Sequence, residues 1–99
     1  MYAKILRRGE IVPSISSFYG LSIYMYNNGK EHNPPHFHVY YGDKECVINI
    51  HECEMVEGDM PQNKLRLVLA WCEIHKDELL QNWELAIKEK KLKKISPLK

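Results

Sequence analysis

The chain has 99 residues, an apolar fraction of 44%, a charged fraction of 27% and a formal net charge of +1. These are the proportions of one ordinary globular domain, of a size that buries about two-thirds of its unfolded surface. Near-neutral charge argues against a strongly basic nucleic-acid binder or an acidic tail protein, though not against a local patch.

Cys46, Cys53 and Cys72 are odd in number and include no Cys-x-x-Cys pair, which argues against a disulfide framework. The first ten residues carry Lys4, Arg7 and Arg8 without a long apolar core, so they do not read as a signal peptide. No run approaches the roughly 18 apolar residues of a membrane span. The composition therefore predicts a cytoplasmic, reduced protein with no membrane contact.

In chain order, residues 1–12 read as an N-terminal extension, an edge strand or an arm, ahead of a single domain over 13–99. "FYGLSIYMY" (18–26) alternates as a strand does, with Leu21, Ile23 and Met25 on one face and Ser22, Tyr24 and Tyr26 on the other. "NNGK" (27–30) has turn chemistry, since Asn-Gly accepts positive φ at little cost. Residues 36–41 alternate again: Phe37, Val39 and Tyr41 against His36, His38 and Tyr40.

"CVINI" (46–50) completes a hairpin across a two-residue Gly42-Asp43 turn, which sets Val39 opposite Cys46, Phe37 opposite Ile48 and Asn49 opposite His36. A slip of one residue would send Asn49 into the core. "EGDMP" (57–61) reads as a turn feeding a helix, capped near Asp59 or Met60 with Pro61 in the first turn.

From there to about Lys90 the apolar spacing is helical, with Leu65, Val68, Leu69 and Cys72 in one stripe and Leu79, Leu80, Trp83, Ala86 and Ile87 in another. One helix of that length would reach about 40 Å, too long for a domain with a radius of gyration of about 13 Å. A break at "HKDEL" (75–79), with Asp77 as a second N-cap, is the expected solution. The first helix is apolar nearly all round and should be the buried one. The lysine-rich tail (88–99) reads as a solvated helix end. Strands followed by helices predict an α+β fold: an antiparallel sheet of three or four strands with two C-terminal helices packed on one face.

The stretch "EHNPPHFHV" (31–39) holds three of the five histidines beside a double proline. Residues two apart on a strand project side by side, about 6.5–7 Å apart, so His36 and His38 should share the face that the helices leave uncovered. Tyr40 and Asn49 belong to that face, with Tyr24 and Tyr26.

Three chemistries suit the arrangement. Two imidazoles with ordinary pKa values near 6.5 can serve as general acid and base in metal-free RNA cleavage, the 2′-hydroxyl acting as nucleophile. His-x-His can chelate zinc or another divalent ion, with His32 or His51 completing the set. The histidines and tyrosines can also form a surface that stacks bases or receives a protein. The plainer alternative is two half-exposed polar strand residues, with Pro34-Pro35 only straightening the chain.

The segments "PSISSFYGLSIYMY", "EHNPPHFHVYYGD", "VEGDMP", "LRLVLAWCEIHKDELLQNWELA" and "LKKISPL" resemble the domain-of-unknown-function family forty-one-sixty, a family of short bacterial proteins. The likeness runs from about Pro13 to Leu98. What the resemblance implies is one half of a two-gene, toxin–antitoxin-like or regulatory module, whose partner is the product of an adjacent small gene. The matching positions are His32, Asn33, His36 and His38, with Tyr40 and Lys44 as weaker companions; the family supplies no catalytic assignment.

The expectation is therefore a module acting on RNA, with His36 and His38 performing acid–base chemistry, His32 and Asn49 orienting them, and Lys44 and the tail lysines holding phosphate. The alternatives are a non-enzymatic docking module using the Tyr/His face, or a metal site at His32, His36 and His38. Self-association stays open.

Overall fold

A computed structural model of the chain describes residues 3–5, 11–27 and 32–99. Strands β1 (Ala3–Ile5) and β2 (Ile11–Pro13) pair with each other as a separate two-stranded ribbon. Five further strands follow in chain order: β3 (Ser16–Phe18), β4 (Leu21–Tyr24), β5 (His36–Tyr41), β6 (Lys44–Asn49) and β7 (Glu54–Gly58). They form one antiparallel sheet in the order β3-β4-β5-β6-β7. Helices α1 (Gln62–Ile74) and α2 (Lys76–Ile87) complete an α+β fold. The sheet thus has five strands rather than three or four, and two local features account for the difference.

The first is a hairpin within the strand expected over 18–26. Tyr19 and Gly20 separate β3 from β4 and have φ of 51° and 81°, and two positive values suit a type I′ turn between closely paired strands. The alternation of Leu21, Ile23 and Met25 hides this turn, because Tyr19 is an unusual residue at positive φ. The Asn-Gly turn expected at 27–30 falls largely on residues 28–31, outside the described residues.

The second is β7, which occupies the segment read as a lead-in turn. Its pairing with β6 shifts between Val47 and Ile48: Val47 lies opposite Glu57, and Ile48 opposite Met55. The bulge leaves Val56 unpaired and breaks the period-two pattern that marks a strand in sequence.

The predicted β5–β6 register is the observed one, with His36 opposite Asn49, Phe37 opposite Ile48 and Val39 opposite Cys46. Phe37, Val39, Ile48 and Ile50 are fully buried. Trp71 of α1 lies in the same core, its ring centroid 5.3 Å from that of Phe18 and 5.7 Å from that of Phe37. From α2, Leu79, Trp83 and Ala86 join it.

The helix break falls at His75, which ends α1 and begins α2. Asp77 is not the cap; with Glu78 it lies in the first turn of α2, where negative charge suits the helix dipole. His75 Nδ1 is 2.5 Å from Glu78 Oε1. Pro61 caps α1, its carbonyl accepting from Lys64 and Leu65 amides, while Asp59 pairs with Lys44 at 3.0 Å. Nor is α1 buried all round: Val68, Trp71 and Cys72 are buried, whereas Ile74 is 65% exposed.

Beyond Ile87 the chain is not helical, so the tail is no solvated helix end. It is strapped across the body instead. Buried Asn82 donates to Lys93 O and accepts from Lys93 N, Trp71 Nε1 donates to Ser96 O, and Ile95 N donates to Ile15 O. Lys94 Nζ also donates to Ser14 O. Each bond satisfies a polar group that burial would otherwise leave costly.

All three cysteines are buried and free. Burial, with the charge of Asp59 adding, pushes the Cys46 thiol up to about 11. Burial and the Cys53 thiol, 3.1 Å away, raise Cys72 further. Because the thiolate is the reactive form, native protein at about pH 8 is expected to react with an aromatic disulfide reagent at none of its cysteines within minutes, and at all three once unfolded in guanidinium.

Gly58 sits at φ +95°, where an added Cβ would lie 2.3 Å from Glu45 O and 2.7 Å from Cys46 Cα. Gly58→Ala is accordingly expected to lower stability by about 2 kcal/mol or more, measured by denaturant unfolding. An unchanged midpoint would mean that β7 does not approach β6 this closely.

Candidate functional site

Strand pleating brings His36 and His38 out on one face of β5, with their ring centroids 5.3 Å apart in an edge-to-face arrangement. Both rings are half-buried. They sit in a continuous aromatic row: Trp83 lies 5.0 Å from His36, and Tyr26 lies 4.8 Å from His38. Tyr26 and Tyr40 share a hydroxyl hydrogen bond of 2.8 Å, and Tyr24 meets Tyr40 edge-on at 5.4 Å.

The face is less bare than the alternation predicts. Tyr24 is 1% exposed and Ser22 3% exposed, and Trp83 of α2 reaches round to His36. The accessible part lies toward β6 and β7.

There the surface forms an open pocket of about 510 Å³. His32, Asn33 and Pro34 form one wall, His36 and His38 the floor, and Val47, Asn49, Val56 and Glu57 the side toward the sheet edge. The bulge explains that last group, since it sets consecutive Val56 and Glu57 against the single residue Val47, and both line the same pocket.

The loop before β5 is bent rather than straight at Asn33 and Pro34, and the Asn33–Pro34 peptide is cis. It is tied down at two points. His36 Nδ1 lies 2.9 Å from Pro34 O; a carbonyl only accepts, so the ring nitrogen donates and neutral His36 takes the Nδ1–H tautomer. Trp83 Nε1 donates to Asn33 Oδ1 at 3.3 Å.

Of the residues singled out from sequence, His32, Asn33, His36, His38 and Asn49 meet at the pocket. Tyr40 belongs to the same row, one step from His38, but does not line the cavity. Lys44 stands apart. It pairs with Tyr41 at the far end of the β5–β6 hairpin and donates to Asp59, whose hydrogen bond and charge raise the Lys44 pKa.

Asn49 has a local task as well, since its side-chain oxygen accepts from Glu52 N at 3.0 Å and closes the turn leading to β7. Among the described residues, no three His, Cys, Asp or Glu side chains are grouped to hold a metal ion.

Val47, Val56 and Glu57 are the pocket residues that the sequence does not announce. Val47 lies opposite His38 in the predicted register and could have been placed there. Val56 and Glu57 could not, because the bulge that aims them has no periodic signature.

Among the described residues, the charge lining the site is of one sign. Among the described residues no lysine or arginine lines the pocket, and Glu57 does. From 45 to 63 the chain has no lysine or arginine at all, but carries Glu45, Glu52, Glu54, Glu57 and Asp59.

Asn49→Ala is expected to cost about 1 kcal/mol through the lost turn bond, measured by denaturant unfolding. The pocket mouth near β7 should loosen with it, read as faster amide exchange at Glu52 and Cys53.

A search of curated proteins returns no match, and neither does a search of solved structures. No helix among the described residues is long and apolar enough to cross a membrane. A family model described as "Domain of unknown function (DUF4160)" matches residues 20–84, which takes in β4 to α2 up to Glu84, the histidine row and every pocket residue. The chain belongs to the DUF4160 family.

Proposed function

We propose that this protein is a non-enzymatic docking module, the binding half of a two-gene bacterial pair, and that the histidine pocket receives a segment of the partner protein in the cytoplasm. The observation that carries this reading is the pocket's chemistry: three imidazoles, two asparagines, two valines, a proline and a glutamate, with no lysine or arginine among the described lining residues. Apolar surface flanked by a few fixed polar groups is what a peptide side chain fills. The floor is rigid, because His36 is held by Pro34 and flanked by Trp83, so little ordering cost attends docking.

The catalytic reading, in which His36 and His38 cleave RNA, has less support. Phosphodiester binding draws most of its affinity from lysine and arginine contacts. Lys44 is engaged by Asp59 and remote from the imidazoles, Lys94 of the tail is turned to Ser14 O, and Glu57 would repel a phosphate. A zinc site at His32, His36 and His38 likewise lacks a grouped ligand set among the described residues.

The test is co-purification with the product of the adjacent gene, followed by titration calorimetry. His38→Ala should weaken association at least about tenfold, the loss of one central contact of about 1.4 kcal/mol or more, while circular dichroism stays unchanged. Cleavage of RNA by the purified wild type, lost in a folded His36→Ala/His38→Ala variant, would establish the catalytic reading in its place.

A further inference from the structure

β7 is the last strand of the sheet, and its five residues are all exposed. An outer strand offers a row of backbone donors and acceptors to any extended chain, and proteins usually guard such edges with lysine, proline or a covering element. Lysine and proline are absent from Glu54–Gly58, whose sequence is Glu-Met-Val-Glu-Gly, and among the described residues no further strand pairs with it. Its guards are its shortness, the bulge and the charge of Glu54 and Glu57, and that charge turns away an acidic strand but not a basic one. Met55 is 36% and Val56 59% exposed.

The edge is also acidic. Glu54 and Glu57 lie on β7 itself and Glu52 precedes it, within a stretch from 45 to 63 that has no lysine or arginine. Acidic side chains repel an acidic strand and attract a basic one, so this edge is selective as well as open. Finally, the edge and the pocket are continuous, because Val56 and Glu57 belong to both.

We propose that β7 accepts an added strand: an extended, lysine- or arginine-bearing segment of another polypeptide pairs with its outer edge and sends side chains over Val56 and Glu57 into the histidine pocket. This rests on the docking reading above and specifies the chemistry of the partner. Main-chain pairing supplies affinity, and alternate side chains supply specificity. On the pocket side of the added strand, one position lies against Val56 and takes an apolar residue. A basic residue beside it reaches the Glu57 carboxylate. An RNA strand fits this edge poorly, since it meets three glutamates (Glu52, Glu54 and Glu57), while the flanking cations Lys44 and Lys76 are engaged by the Asp59 carboxylate and the His51 carbonyl.

The test uses the full chain and a fluorescein-labelled peptide of about nine residues, long enough to span a strand of this size, alternating lysine with valine. Three results are expected: saturable binding that weakens at least about tenfold from low to high salt, no binding by the glutamate–valine counterpart, and slowed amide exchange at residues 54–58. Glu54→Lys/Glu57→Lys, a change confined to exposed side chains, should weaken the peptide at least about tenfold with circular dichroism unchanged.

Absence of binding would overturn the proposal. So would binding that leaves exchange at 54–58 unaltered, or a preference for an oligouridylate over the peptide. The two readings separate on the neighbouring gene's product: if it binds the Glu54→Lys/Glu57→Lys variant normally but not His38→Ala, docking at the pocket stands and strand addition fails.

Discussion

The pairing of β5 with β6 is the constraint on which the remainder of the molecule depends. Pleating sends successive side chains to opposite faces, so a single choice of register assigns every residue of the hairpin. In the observed register Phe37, Val39 and Ile48 are fully buried. Each such burial is worth about 1.5–3 kcal/mol, so together they rival the about 5–15 kcal/mol by which a whole domain is stable. A slip would expose these three and bury imidazoles in their place. The energy that fixes the histidines on the outer face therefore comes from the inner one, and the site is as rigid as the core behind it.

That dependence also explains what the sequence revealed. Strict alternation over 36–41 and again through Cys46, Ile48 and Ile50, joined by Gly42-Asp43, contains the register, the two faces and the convergence of His36, His38 and Asn49. The α+β order and the two helices follow from apolar spacing in the same way. What stayed hidden rests on departures from periodicity. Tyr19 takes a positive φ that its residue type disfavours, and so conceals a hairpin inside an unbroken alternation. The β7 bulge places Met55, Val56 and Glu57 out of phase, so the strand reads as a turn. The lysine-rich tail is held by tertiary hydrogen bonds through Asn82 and Trp71, which local composition does not encode. Asp59 reads as a helix cap, yet its carboxylate goes to Lys44 across the sheet.

Charge distribution shapes the functional reading more than net charge does. The chain is close to neutral as a whole, but its cations and anions are segregated along the sequence. Lysines dominate 88–99, while 45–63 has acids alone. The pocket opens toward the acidic segment. The pocket's histidines lie beside glutamate and valine at the margin of the outer strand, with no lysine or arginine among the described lining residues, and that distribution is what favours a polypeptide over a phosphate in the proposal made above.

Trp83 links the two layers of the molecule. Trp83 is 2% exposed in the core, yet its ring nitrogen is bonded to Asn33 on the pocket wall and its ring lies tilted against that of His36, 5.0 Å between centroids. Whatever settles beside those two residues alters the polarity and hydrogen bonding of a buried chromophore. The fold thereby carries its own optical probe of the pocket, with Trp71 on the other helix, bonded to Ser96 O, as an internal reference.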